Sequence, residues 1–271
     1  RCHYRYNRPH ARTLFSPYAT METLNEKIKK ANRRVFDEMN LDDYELNPSI
    51  FDEERQQEIR AIIGGLVKPN SVCADFGCGS GNLLKMIHSQ CRMAIGYDIG
   101  LGLLRQVKKE NGFTLLVCGD LEFASFKKES FDFISMYGVL HHLYKHRRSL
   151  NEASRILKKG GILYIDHDPN YFLGRIYNLF YRVYYMWKPG FGDDLKEISE
   201  WHNTRSGGVN SEKLLAILRR AGFREIVVQF RHTTNKQLGK LHRLALWFLK
   251  RLSELTHWKT FYTHFYIVAR K

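Results

Sequence analysis

One stretch constrains this chain more than any other: an apolar run, SVCADF, empties into Gly77-Cys78-Gly79-Ser80-Gly81-Asn82 and then into the helix-favouring NLLKMIHSQ. Glycines there permit positive φ and let the backbone approach a ligand closely. The alternation continues downstream. MAIGYDIG, FTLLVCGD, FDFISMYG and GILYIDHD are short apolar runs, with the amphipathic LGLLRQVKKEN and SLNEASRILKKGG among them. Strands rich in Val, Ile, Leu and Phe, joined by helical crossovers, predict βαβ units and a parallel sheet covered on both faces. The expected class is α/β, doubly wound.

Three segments flank this core. Residues 1–20 carry four Arg and no acid and read as a basic tail or upstream extension. Residues 21–67 read as an N-terminal helical lead-in, broken at Asn47-Pro48, in which Ile59, Ile62, Ile63 and Leu66 recur at helical spacing. Residues 68–271 form the main domain, ending in the helix VNSEKLLAILRRAGF and the strands REIVVQFRHT and FYTHFYIVARK. Two pieces exceed a minimal sheet and read as helical insertions, 170–205 and 236–258.

The glycine loop is particular about what it holds. A dinucleotide fingerprint needs glycine at the sixth position of G-x-G-x-x-G, where this chain has Asn82, and no G-K-[ST] ending marks a P-loop. Asp75, two residues before the first glycine, would repel a pyrophosphate and suits a ligand carrying an ammonium group. Asp98, at the end of the second run and 21 residues after Gly77, stands where a carboxylate accepts from ribose hydroxyls. Gly119-Asp120-Leu121 adds a carboxylate and an apolar neighbour suited to an adenine amino group and ring face. Together they predict an aminoacyl-nucleoside site without phosphate.

On these motifs the chain resembles the class I S-adenosylmethionine-dependent methyltransferases, in particular the group acting on small molecules, quinones and lipids. The resemblance runs from Ile59 to Lys271, with DFGCGSGN, GYDIG, CGDLEF, FDFISMYGVLHHL and LKKGGILYIDHDPN in family order. It implies a mostly parallel seven-stranded sheet of order 3-2-1-4-5-7-6, its last strand antiparallel. By resemblance Asp75, Gly77, Gly79 and Gly81 face the methionine part of S-adenosylmethionine, Asp98 the ribose, Asp120 and Leu121 the adenine, with Cys78 and Ile99 also at the cofactor. Tyr137 is expected near the cofactor as well.

A sulfonium methyl is already electrophilic, so such an enzyme mainly aligns donor and acceptor. An oxygen acceptor also needs its proton removed. Ligand crevices lie at the carboxyl ends of strands, which makes Tyr137, Asp166 and His167 the catalytic candidates, with Gly138 and Asp168 beside them. His141 and His142 in GVLHHL read as structural, and His202 as a weaker candidate base. The five cysteines form no C-x-x-C pair and no zinc spacing, so neither a metal site nor a disulfide framework is expected.

The insertions speak to the acceptor, because both should emerge beside the cofactor and roof its pocket as a lid. On a helical wheel the second puts Leu238, Leu241, Ala245, Phe248, Leu252 and Leu255 opposite Lys240, Arg243, Lys250 and Arg251. The first contributes Phe172, Leu173, Ile176, Leu179, Phe180, Val183, Tyr184 and Trp187. Such stripes either pack on the sheet or lie in a membrane interface. A hydrophobic or aromatic acceptor (lipid, quinone or metabolite) follows, with peripheral membrane contact through 236–258. The formal charge of +15 prompts nucleic acid as the rival partner, but no [ND]-P-P-[YF] loop follows the fourth strand, where Ser135-Met136-Tyr137-Gly138 stands. A cofactor-binding protein without transfer activity is the third option. With no signal-peptide core and no long apolar run, a cytoplasmic, membrane-associated location is expected.

Overall fold

The computed structural model describes residues 23–40, 53–107, 114–185, 195–232 and 240–271. The basic segment 1–20, the Asn47-Pro48 break, Trp187 and Leu238 lie outside the described residues. Seven strands form one sheet: β1 Val72–Phe76, β2 Met93–Asp98, β3 Thr114–Cys118, β4 Phe131–Tyr137, β5 Leu157–Pro169, β6 Glu225–Arg231 and β7 His264–Arg270. Their order is β3-β2-β1-β4-β5-β7-β6, as the family resemblance implies. The first five pair in parallel, and β7 runs antiparallel to both β5 and β6.

Side chains alternate across each strand, and that alternation divides the core in two. Ala74, Phe76, Ile134, Met136, Leu163 and Ile165 face one side, with Leu150, Ala153 and Ile156 of helix α5 (His146–Ile156) and Leu214 and Leu218 of α8 (Ser211–Arg220). Cys73, Phe133, Ile162 and Tyr164 face the other, against Ile59 and Ile63 of α2 (Glu53–Leu66) and Leu83, Leu84 and Ile87 of α3 (Asn82–His88). Burying each Leu, Ile, Phe or Met side chain among them contributes roughly 1.5–3 kcal/mol.

The lead-in splits by role. Helix α2 is part of the sheet's cover, whereas α1 (Leu24–Glu38) lies over the strand tips. Thr23 caps α1 by accepting from the Glu26 amide at 3.3 Å, and Ile28, Ala31 and Asn32 are its buried face. Its far end rests on the turn into α4 (Leu101–Gln106). The Gly102 amide donates to Asp37 Oδ1 at 2.9 Å, and Gln106 Nε2 donates to the Met39 carbonyl at 2.9 Å.

The lid is not built as the sequence suggests. From the first insertion, α6 (Tyr171–Tyr185) packs toward the turn at Lys259–Phe261, while α7 (Leu195–Ser199) and the π-helical turn His202–Ser206 reach α1 and the strand tips. The second insertion, α9 (Lys240–Thr256), contributes no described residue to the cleft wall. Ser253 is its buried anchor, bonded to His232 Nε2 at 2.8 Å, and Leu246 and Leu249 are half-buried. The apolar stripe meant for the roof, represented by Phe248, Leu252 and Leu255, is exposed.

Candidate active site

A cleft of about 460 Å³ opens at the carboxyl ends of β1, β2, β3, β4 and β5. Gly77, Gly79, Asp98, Ile99, Asp120, Leu121, Tyr137, Gly138 and His167 line it from the strand tips, and Asn25, Ile28, Lys29, Asn32, Phe36 and Met39 from the α1 side. His141, His142, Lys196, Glu200 and Asn203 close the remaining side.

Local rules explain the loop. Gly77, Gly79 and Gly81 adopt φ of 71°, 50° and 79°, a region that favours glycine. A Cβ on Gly77 would stand 2.4 Å from Val139 Cγ2. Asp98 holds the turn together: its Oδ2 accepts from the Gly79 amide and its Oδ1 from the Gly100 amide, both at 2.9 Å. Each carboxylate oxygen retains a second lone pair for a ribose hydroxyl. Asp120 caps the short turn Leu121–Phe123 through the Glu122 amide at 2.9 Å and pairs with Lys29 Nζ at 2.7 Å.

Three sequence-predicted cofactor residues stand back from the wall. Asp75, Cys78 and Gly81 are not among the lining residues. Strand alternation places Asp75 on the Cys73 side, beneath α3, where it is 1% exposed and accepts from Ser135 Oγ at 2.6 Å. Burial pushes its carboxyl up to about 7; Ser135 opposes the shift and the Asp98 charge adds to it. Asp75 thus stands behind the loop, under the glycines that line the cleft. Gly81 serves as the left-handed N-cap of α3.

The catalytic candidates separate too. Asp166, predicted as catalytic, shares the Tyr164 face, is fully buried and stands off the cleft wall: its carboxylate accepts from Arg55 Nη2 and Arg231 Nη2, each at 2.7 Å, and from the Tyr164 hydroxyl. It is an ion-paired brace between α2 and β6. His167 does reach the cleft, because the β5–β7 register shifts between Ile165 and Asp168 and His167 takes φ of 65°. Such irregularities re-aim side chains at functional sites. Its ring stacks between Tyr137 (4.9 Å) and His264 (5.1 Å). Burial drives both imidazoles below the usual range, His264 to about 3. His167 is accordingly neutral, with one donor and one acceptor nitrogen. His202 lies off the wall, its Nδ1 2.6 Å from Ser206 Oγ.

Sequence reasoning missed Lys29, Asn32 and Glu200. Lys29 contacts Asp120 and Glu122, both at 2.7 Å, and Asn32 Nδ2 donates to the His142 carbonyl at 3.1 Å. The buried polar Asn32 within a helical stripe was the one available signal. His141 Nδ1 meets Asp168 Oδ1 at 2.9 Å; burial disfavours its charge, but Asp168 outweighs this and raises its pKa. His142 is lowered to about 4 by burial and by His141. For Glu200 the two imidazoles outweigh burial and hold its carboxyl below the usual range.

The donor set fits a phosphate-free nucleoside. Carboxylates stand at the tips of β2 and β3, the loop carries no Lys or Arg, and Lys29 is already committed to two acids. Residues 74–165 match the sequence profile described as "Methyltransferase domain". An uncharacterised protein of Methanocaldococcus jannaschii is 29% identical over 168 residues, 62% of each chain. A Homo sapiens protein named "Probable tRNA methyltransferase 9B" is 38% identical over 101 residues, 36% of this chain and 21% of its own length. Among solved structures, a SAM-dependent methyltransferase of Thermotoga maritima is similar with a TM-score of 0.56 at 22% identity, covering 88% of this chain and 99% of that one.

The sheet order and the solved neighbour give the fold of the Rossmann-like class I methyltransferases, and residues 74–165 carry a methyltransferase domain.

Proposed function

We propose that the protein transfers a methyl group from S-adenosylmethionine to a small hydrophobic or aromatic acceptor taken up beside a membrane surface. The cofactor supplies an electrophilic methyl on sulfonium; the chain's own residues orient the partners and exclude water, which effective-molarity comparisons value at roughly 7–11 kcal/mol. Asp98 and the glycine loop would hold the nucleoside, and Tyr137 and neutral His167 border the acceptor side, where His167 could accept a proton from a hydroxyl. The observation that carries the reading is the make-up of the cleft: Ile28, Phe36 and Met39 on the α1 side, with Val139 and Leu143 after β4, give it an apolar lining beside the carboxylate-tipped strands. The exposed apolar and basic face of α9 supports delivery from a lipid surface.

A second reading, transfer to tRNA, is favoured by the name of the human relative and by the +15 charge. Calorimetry with S-adenosylmethionine on the parent and on Asp98→Ala, then a methyl-release assay over phenolic, quinone and lipid acceptors and bulk tRNA, separates them. Binding that falls at least tenfold in Asp98→Ala, with turnover on an apolar acceptor, is expected. Turnover on tRNA alone would overturn the acceptor assignment, and binding without any turnover would leave a cofactor-binding protein.

A further inference from the structure

We propose that His141, His142 and Glu200 form a binding site for one divalent transition-metal ion on the acceptor side of the cleft. The two histidines are neighbours in the turn after β4, and Glu200 follows α7. The fold brings one ligand atom from each within 4.8 Å of the others. His141 Nε2 lies 3.5 Å from Glu200 Oε2, and His142 Nε2 lies 3.9 Å from Glu200 Oε1. Both exceed the usual 2.7–3.2 Å of an N–H···O bond. They approach the spacing of ligands around an ion: two atoms each about 2.1 Å from a tetrahedral centre stand roughly 3.4 Å apart.

The other ring nitrogens decide the tautomers. His141 Nδ1 meets the Asp168 carboxylate at 2.9 Å, and His142 Nδ1 meets the Ser199 carbonyl at 2.8 Å. Both partners only accept, so each Nδ1 carries the hydrogen, and in a neutral ring Nε2 turns its lone pair toward Glu200. A carboxylate or carbonyl behind each imidazole is the usual second support of a metal-bound histidine. Asn203 Nδ2 donates to Glu200 Oε2 at 2.6 Å and fixes the carboxylate. With both rings neutral, two lone pairs and an anion converge on one point, an arrangement that a bound cation relieves.

Two imidazoles and one carboxylate favour Zn²⁺, Fe²⁺, Co²⁺ or Mn²⁺ over Mg²⁺ or Ca²⁺. Three protein ligands leave a coordination position for an oxygen of the acceptor. That last use rests on the transfer reaction proposed above; metal binding itself does not.

The test uses the full chain without a histidine tag, stripped by chelator and titrated with Zn²⁺ in a calorimeter and with Co²⁺ in a visible spectrophotometer. One ion per chain is expected, with Co²⁺ giving d–d bands of low-symmetry coordination. Glu200→Gln and His142→Ala should each weaken Zn²⁺ binding at least tenfold while unfolding cooperatively as the parent does. Should either variant unfold differently, loss of the Co²⁺ bands on His142 alkylation in the parent stands in its place. No saturable uptake by the parent, or undiminished uptake by the double variant, overturns the site, the convergence then being a protonated His141 facing Glu200. S-adenosylmethionine binding by the stripped parent is measured separately, so failure of the metal site and failure of the methyltransferase reading give different results.

Discussion

Burial sets the working state of two carboxylates that a linear reading assigns to the ligand. Asp75 is held up to about 7, chiefly by burial, against roughly 3.9 in an unfolded chain. The folded state therefore binds more protons than the unfolded one between these values. The contribution to stability is complete below about pH 4 and is lost as pH rises through about 7. At 1.36 kcal/mol per pH unit the loss is of the order of a few kcal/mol. Thermal unfolding of Asp75→Asn should fall less steeply than the parent's between pH 4.5 and 7.5; parallel curves would refute this. At Asp166 the concern is partners: its removal leaves Arg55 and Arg231 with the half-exposed Glu58 as their shared counter-charge, at a cost of up to about 3–5 kcal/mol. Urea unfolding of Asp166→Ala measures that cost. Parent-like stability with abolished turnover would restore a catalytic role.

At the scale of elements, the seat of α1 decides whether the cleft has a roof. A Cβ on Gly102 would come within 2.0 Å of the Asp37 carbonyl oxygen, and backbone at that distance cannot yield. Gly102→Ala should displace α1, speed hydrogen exchange over 24–38 and weaken S-adenosylmethionine binding about tenfold, with exchange in β1 and β4 unchanged. Unaltered exchange in α1 would show that the helix is held elsewhere, as by the Lys29 bridge to Asp120 and Glu122. That α1 is a helix is legible from Thr23 and the spacing of Ile28 and Ala31. Its use as a lid is not, because its contacts lie some 65 to 110 residues away, at Gly102 and His142.

For the whole molecule, the exposed side of α9 bears on the proposed delivery from a lipid surface. Leu244, Trp247, Phe248, Leu252 and Leu255 are 41% to 79% exposed, as is Trp258 just past the helix end, and Lys240, Arg243, Lys250 and Arg251 lie on the same helix. Among the described residues no helix is long and apolar enough to cross a membrane, so the expected contact is peripheral. The parent should co-sediment with anionic phosphatidylserine vesicles more than with phosphatidylcholine ones. Trp247→Glu/Phe248→Glu should reduce that binding at least fivefold, and so should raised salt. Equal sedimentation of both proteins would remove the membrane from the account.

The strands, their parallel pairing and the glycine loop with its downstream carboxylates are local facts. Strands and parallel pairing follow from short apolar runs joined by helical crossovers, and the loop from the one residue that tolerates positive φ; the strand order itself comes from the family resemblance of the motifs SVCADF through GILYIDHD. What tertiary structure alone decided is which tips face the cleft. Alternation combined with the cover of α2 and α3 turned Asp75 and Asp166 inward, a register shift turned His167 outward, and the fold carried Glu200 across 58 residues to His142. Side-chain direction at a sheet tip depends on which helix covers that face, a pairing between distant segments that the order of residues along the chain does not record.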